Sequence, residues 1–232
     1  LDNFLAAGLS TALLAQMQIG FNGRYLVFPY VQPDGNCYAA RCLHPNRPED
    51  GFWYGDERFF GERFRLFNSV EIDRCENGAL FIVEEERNLL PLKQLGYPVI
   101  AVPSAADLDA IEGERLAWIR TIFLWVNHNP ESEARARAFA TRIGFKVRII
   151  HWPEESPRNV GISVLAATEP SSFAATVAKR LKSARAFSPF PSPSAEFLGF
   201  RERLLQEAGD AYAQLTSGFP LLDRALGGIH GI

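Results

Sequence analysis

Three cysteines in 232 residues are too few to staple a secreted disulfide framework. No run of about 18 uncharged apolar residues is present, so no membrane span is expected. Charge of one sign is also missing: 24 Lys and Arg stand against 27 Asp and Glu, a net charge of −3. That balance excludes a molecule coated in positive potential, although a local basic patch still grips phosphates. The apolar residues before Met17 have no basic stretch ahead of them and no small-residue cleavage site behind, so they do not read as a signal peptide. No internal repeat is visible. What is present, 47% apolar and 22% charged residues, is the profile of a soluble chain of one or two domains long enough to bury a core. A cytosolic location is the default. A start at Leu1 and a stop at Ile232 in mid-motif lead to the expectation of a fragment of something longer.

Along the chain the pattern changes once. Leu5, Leu9, Leu13 and Leu14 recur at helical spacing, with Gly20, Asn22 and Gly23 closing the unit. Strands are expected over 25–30 and 36–43, around a turn at Gln32-Pro33-Asp34-Gly35. The span 44–68 is aromatic and charged without a period, and reads as a long hairpin or loop. From Ala79 strands alternate with helices. The run Ala79, Leu80, Phe81, Ile82, Val83 suits a strand buried on both faces. A helix over 87–95, a strand over 99–102, a helical stretch around 108–119 and a strand over 122–126 follow. Then comes a helix over 131–143, with Ala136, Phe139, Ala140 and Ile143 on its apolar face and Arg135 and Arg142 away from it. A strand over 147–150 and a helix over 173–181 complete the unit. Repeated strand-helix-strand units imply α/β architecture, a parallel sheet flanked by helices, preceded by a smaller α+β subdomain. The expected divisions are 1–78, 79–182, a Pro/Ser-rich linker over 183–195, and 196–232. In the last, Phe197, Phe200, Leu204, Leu205, Ala208, Tyr212 and Leu215 mark an amphipathic docking helix.

In a parallel α/β sheet, functional side chains gather at the carboxyl ends of the strands. Three such ends are polar here: Glu84-Glu85-Glu86, Asn127-His128-Asn129, and the stretch 151–159. The segment Phe81-Ile82-Val83-Glu84-Glu85-Glu86-Arg87-Asn88-Leu89-Leu90 with Leu95-Gly96-Tyr97 resembles the opening of a TOPRIM domain. Asn127-His128-Asn129 stands where that family carries Asp-x-Asp. Pro153 and Asn159 occupy the places of a proline and a later acidic residue. Upstream, Gly8-Leu9-Ser10, Ile19-Gly20, Asp34-Gly35, Arg41 and Leu66-Phe67-Asn68 resemble the N-terminal subdomain of bacterial-type primase cores. At the other end, Thr216-Ser217-Gly218-Phe219-Pro220 and Leu226-Gly227-Gly228-Ile229 resemble the opening of RecA-like helicase domains, ahead of a phosphate-binding loop that this chain does not contain. Together these pieces resemble bifunctional primase-helicases, phage or Twinkle-like.

The resemblance implies DNA replication, single-stranded DNA as partner, a helicase domain in the same chain, oligomerisation through that helicase part, and a cytoplasmic, nucleoid or organellar setting. It implies Glu84 as the catalytic group and Mg²⁺ or Mn²⁺ as cofactor. A TOPRIM site holds its metal with aspartates, because a hard cation wants anionic oxygens. Here Asn127 and Asn129 offer neutral oxygens, and Asn88 and Asn159 stand at further acidic positions. Glu85 replaces the glycine of the tight turn from strand into helix. The expectation is therefore a degenerate site, with an active Mg²⁺-dependent primase making RNA primers, or a non-catalytic oligomerisation and partner-docking platform, as the alternatives.

For nucleic-acid binding the candidates are Arg135, Arg137, Arg142, Lys146 and Arg148 in one cluster and Lys179, Arg180 and Lys182 in another; the blander account is solvated helix faces, with Glu131 and Arg135 as an i, i+4 pair. Phe52-Trp53-Tyr54 and Phe59-Phe60 are candidates for base stacking or for core packing. Cys37, Cys42 and His44 lack a second pair of ligands at zinc spacing, so no zinc is expected in this fragment. His128 reads either as a metal ligand beside Glu84 or as an ordinary loop residue.

Overall fold

The computed structural model describes residues 8–31, 34–45, 47–55, 66–75 and 78–188, the side chains of Pro48 and Glu49 excepted. The chain divides into two compact units, Leu1–Phe187 and Ser188–Ile232. Leu5, the turn at Gln32-Pro33, Phe59-Phe60, the linker from residue 189 and everything expected over 196–232 lie outside the described residues.

An antiparallel sheet opens the fold, in the order β1 (Gly20–Phe21), β2 (Leu26–Val31), β3 (Cys37–His44), β4 (Arg47–Gly55). The helix before it, α1, spans Thr11–Gln16 and starts where the Ser10 hydroxyl accepts the Leu13 N–H at 3.2 Å. β4 lies where the sequence read as irregular. Pro48, Asp50 and Gly51 spoil any alternation there, and the strand forms because β3 supplies a partner, with Trp53 opposite Arg41 and Phe52 opposite Cys42. A short helix, α2 (Val70–Arg74), has no counterpart in the sequence reading. Just before it, Phe67 bridges antiparallel to Ala101 at the edge of the second sheet.

The second sheet is parallel and runs β6 (Val99–Val102), β5 (Ala79–Glu84), β7 (Thr121–Trp125), β8 (Val147–Ile149). Leu80, Phe81, Ile82 and Val83 are at most 2% exposed, because β5 is central and covered on both faces. One face packs Leu80, Ile82, Ile122 and Leu124 against α4 (Pro130–Ile143) through Ala136, Phe139 and Ala140. The other packs Phe81, Val83 and Trp125 against α3 (Glu86–Gln94), α5 (Ile162–Thr168) and α6 (Phe173–Ser183). Between β6 and β7, where a helix was expected, stand two 3₁₀ turns, Ala105–Ala110 and Gly113–Leu116. Asp107 and Gly113 are poor formers of a continuous helix, and Asp107 instead closes a capping box with Ser104.

One expectation about α4 is corrected. Arg135 pairs with Asp109 at 2.6 Å rather than with Glu131, since a fixed partner on the neighbouring 3₁₀ turn is within reach. Arg142 is exposed and off the apolar face, as expected, and its guanidinium donates to the carbonyls of Ile111 at 2.6 Å and Leu108 at 2.7 Å.

The two sheets are joined by a buried polar knot. Glu86, the first residue of α3, is fully buried; it accepts the Tyr30 hydroxyl at 2.6 Å and pairs with Arg41 at 2.9 Å. Arg41 also donates to the Pro103 carbonyl at 3.0 Å. Burial, then the Glu86 charge, push the Tyr30 phenol well above its ordinary value.

Candidate active site

Glu84 ends β5, and its carboxylate is folded into the structure. One oxygen accepts the Asn127 N–H at 2.9 Å and the other the Ala105 N–H at 3.2 Å. Burial raises its pKa, against the lowering effect of those bonds and of the Ser132 hydroxyl. It borders an open cleft of about 560 Å³ between the first 3₁₀ turn, with Ser104 and Ala105, and the start of α4, with Asn129, Glu131 and Ser132; Asn159 lies on its rim.

The next residue makes the turn from strand to helix. Glu85 has φ +65° and ψ +138°, a conformation suited to glycine and strained for any residue with a Cβ. Its carboxylate accepts from Arg87 at 2.6 Å and from the Asn127 amide at 2.9 Å. Asn88, in the first turn of α3, donates to the Glu84 carbonyl at 2.6 Å and to Asn127 Oδ1 at 2.9 Å, and accepts the Ser163 N–H at 2.8 Å. A chain of amides thus runs from Ser163 through Asn88 and Asn127 to Glu85. Gly161 packs against it: a Cβ there would lie 2.7 Å from Asn88 Oδ1 and 2.8 Å from Asn127 Oδ1.

Asn129 caps α4, accepting the Ser132 N–H at 2.8 Å with Pro130 in the first turn. Asn159 takes φ +58° and donates its N–H to the His128 carbonyl at 2.8 Å, while the His128 N–H goes to Val160. The buried His128 ring is engaged elsewhere than at Glu84: Nδ1 lies 3.0 Å from the Pro157 carbonyl, Nε2 3.4 Å from Arg158, and the ring stacks on Trp152.

Glu84, Asn127 and Asn129 therefore come together at one sheet end, and Asn88 with them. The basic candidates do not converge on this cleft. Arg135 is in its pair with Asp109, and Arg137 is exposed on α4. Arg142, Lys146 and Arg148 donate to main-chain carbonyls near the opposite end of the sheet. Lys179 and Lys182 are exposed on α6, whereas Arg180 lies over the rings of Trp125 and Trp152, 5.2 and 5.1 Å from their centroids, and donates to the His151 carbonyl. Of the aromatic run, Trp53 packs on Tyr30 and Phe52 on Tyr25, and Tyr54 is exposed. Cys37 and Cys42 are free thiols.

Sequence reasoning missed Arg87, Ser132 and Gly161 as parts of the site, and the partnership of Glu86 with Arg41 and Tyr30. Only Glu86 carried a signal, an acidic residue two positions after Glu84.

No family model and no curated protein matches the sequence. Solved structures do match. The primase fragment of the bacteriophage T7 primase-helicase aligns with TM-score 0.58 and 16% identity over 74% of this chain and 72% of that one. The E. coli primase catalytic core aligns with TM-score 0.58 and 15% identity over 97% and 80%. A DnaG primase catalytic domain bound to single-stranded DNA aligns with TM-score 0.58 and 13% identity over 80% and 73%.

Proposed function

Because the chain has the fold of a TOPRIM primase core, we propose that it is the primase-like module of a DNA replication primase-helicase, one that holds single-stranded template without joining nucleotides itself. The observation that carries the second half is the amide chain Asn88–Asn127–Glu85. The donor set does not suit Mg²⁺ or Mn²⁺, which want several anionic oxygens. Each carboxamide oxygen of Asn88, Asn127 and Asn129 already accepts an N–H, and both Glu84 oxygens face main-chain donors. The network also requires a neutral group at position 127. An aspartate there would set a carboxylate against Glu85 Oε1 across the 2.9 Å that a donor N–H now spans. Glu85, balanced by Arg87, stands where the resembled family has the glycine of the tight turn. No chemical step is therefore assigned to the cleft. What its residues do is hold the strand ends, the α4 start and the 157–163 segment in one arrangement.

The first half rests on the fold and on the DNA-bound structure among its matches, with the helicase partner resting on the sequence motif beyond residue 216. The test is direct. Primer synthesis is assayed on single-stranded templates with nucleoside triphosphates and Mg²⁺ or Mn²⁺, beside binding of single-stranded DNA across a salt series. The expected result is no primer and an affinity that weakens with salt. Primer synthesis abolished by Glu84→Ala overturns the non-catalytic reading. Absence of binding at low salt, together with loss of assembly on removing residues 196–232, replaces template holding with a platform role.

A further inference from the structure

The parallel sheet has two ends, and the one opposite Glu84 carries a second set of features. Trp118 is 71% exposed and Phe145 is 70% exposed. Isolated exposed apolar residues are ordinary, but these two emerge from adjacent loops. Trp118 lies just before β7 and Phe145 just before β8, and the loops are tied together: the Ile122 N–H donates to the Lys146 carbonyl at 2.8 Å, and Lys146 Nζ donates to the Leu116 carbonyl at 2.7 Å. Neighbouring strands sit about 4.8 Å apart, which places both rings on one side of the molecule.

Basic residues lie close to them along the chain. Lys146 and Arg148 flank the start of β8, Arg142 ends α4, and Arg120 is exposed beside Trp118. Arg142, Lys146 and Arg148 donate only to carbonyls, so among the described residues no carboxylate pairs with them. Glu112 and Glu114 on the same connection offset part of this charge and leave a positive excess. Exposed rings with unneutralised cations are the composition of a surface that stacks bases and meets phosphates.

We propose that this end of the sheet, with Trp118 and Phe145 as stacking platforms and Arg120, Arg142, Lys146 and Arg148 as phosphate partners, binds single-stranded nucleic acid at a site separate from the Glu84 cleft. The proposal rests on the single-strand-holding function proposed above. It excludes a purely apolar partner, because uncompensated cations next to such an interface would have to be desolvated.

The test measures fluorescence anisotropy of a labelled oligothymidylate of roughly 16 nucleotides, and of its abasic counterpart, with the full chain. Wild type binds the thymidylate more tightly than the abasic strand. The double variant Trp118→Ala/Phe145→Ala loses about tenfold or more in affinity and no longer distinguishes the two strands. Trp118→Phe/Phe145→Tyr restores the distinction, and unchanged urea unfolding shows that the alanine variant is folded. A double variant that binds like a binding-competent wild type overturns this site and leaves the proposed function standing. A wild type that binds neither strand overturns both. Loss of self-association in sedimentation, with oligonucleotide binding unchanged, makes the surface a protein contact and also overturns the proposal.

Discussion

Glu85 offers the sharpest test of the reasoning, because its backbone and its side chain can be separated. At φ +65° and ψ +138° a residue with a Cβ carries about 1–3 kcal/mol of strain. Its carboxylate returns part of this through Arg87 and Asn127. The Arg87 pair is a quarter exposed on each side, so it contributes at most about 1 kcal/mol. Comparing Glu85→Ala with Glu85→Gly removes both side-chain bonds equally and leaves the backbone alone. Glycine relieves the strain but loosens the unfolded chain by about 0.5–1 kcal/mol relative to alanine. The glycine variant is therefore expected to be more stable than the alanine variant by about 1 kcal/mol, taking the middle of both ranges. With a urea slope of about 2 kcal/mol per molar, that is a midpoint higher by about 0.5 M, at unchanged slope. An alanine variant as stable as the glycine one, or more so, refutes the claim that the turn is strained.

Three further outcomes follow from the same structure. Arg41→Met leaves the fully buried Glu86 carboxylate without its cation, and unfolding free energy should fall by about 3 kcal/mol or more; adding Glu86→Leu should recover most of the loss in urea denaturation. Gly161→Ala forces a Cβ to within 2.7 Å of the Asn88 amide, and a destabilisation of about 1–3 kcal/mol is expected by thermal unfolding, with a surface change such as Lys182→Ala as the neutral control. Burial raises the Glu84 pKa, so native protein holds its proton more tightly than unfolded chain. Its contribution is present below the ordinary carboxylate value and is lost as pH rises through the raised one. The stability of wild type relative to Glu84→Gln should accordingly fall on going from pH 4 to pH 7, and a difference that rises over that range contradicts the burial argument.

Much of the parallel half was legible because its signals are local. β5 is a continuous apolar run, α4 repeats Ala136, Phe139, Ala140 and Ile143 at helical spacing, and Glu85 sits where only a turn free of a Cβ is comfortable. The 3₁₀ turns were not legible, and β4 was legible only as far as a hairpin or loop. The first compete with helix through single residues such as Asp107 and Gly113, and the second exists because β3 lies beside it. The knot of Tyr30, Arg41 and Glu86 joins residues 56 and 45 positions apart, which no periodicity reports.

The amino-acid sequence by itself determined that a carboxylate, Glu84, closes a continuous apolar strand and that asparagines stand at 88, 127 and 129, in the stretches that follow this strand and a later one. It could not say what those amides do. Asn88 meets Asn127 across 39 positions and Ser163 across 75, and only folding brings donors and acceptors so distant to hydrogen-bonding range. The same holds for charge. The sequence counts Arg135 and Arg142 alike, but the fold neutralises the first with Asp109 and turns the second toward carbonyls. The reason is that a charge is neutralised by whatever approaches it in space, and approach is a property of the tertiary structure.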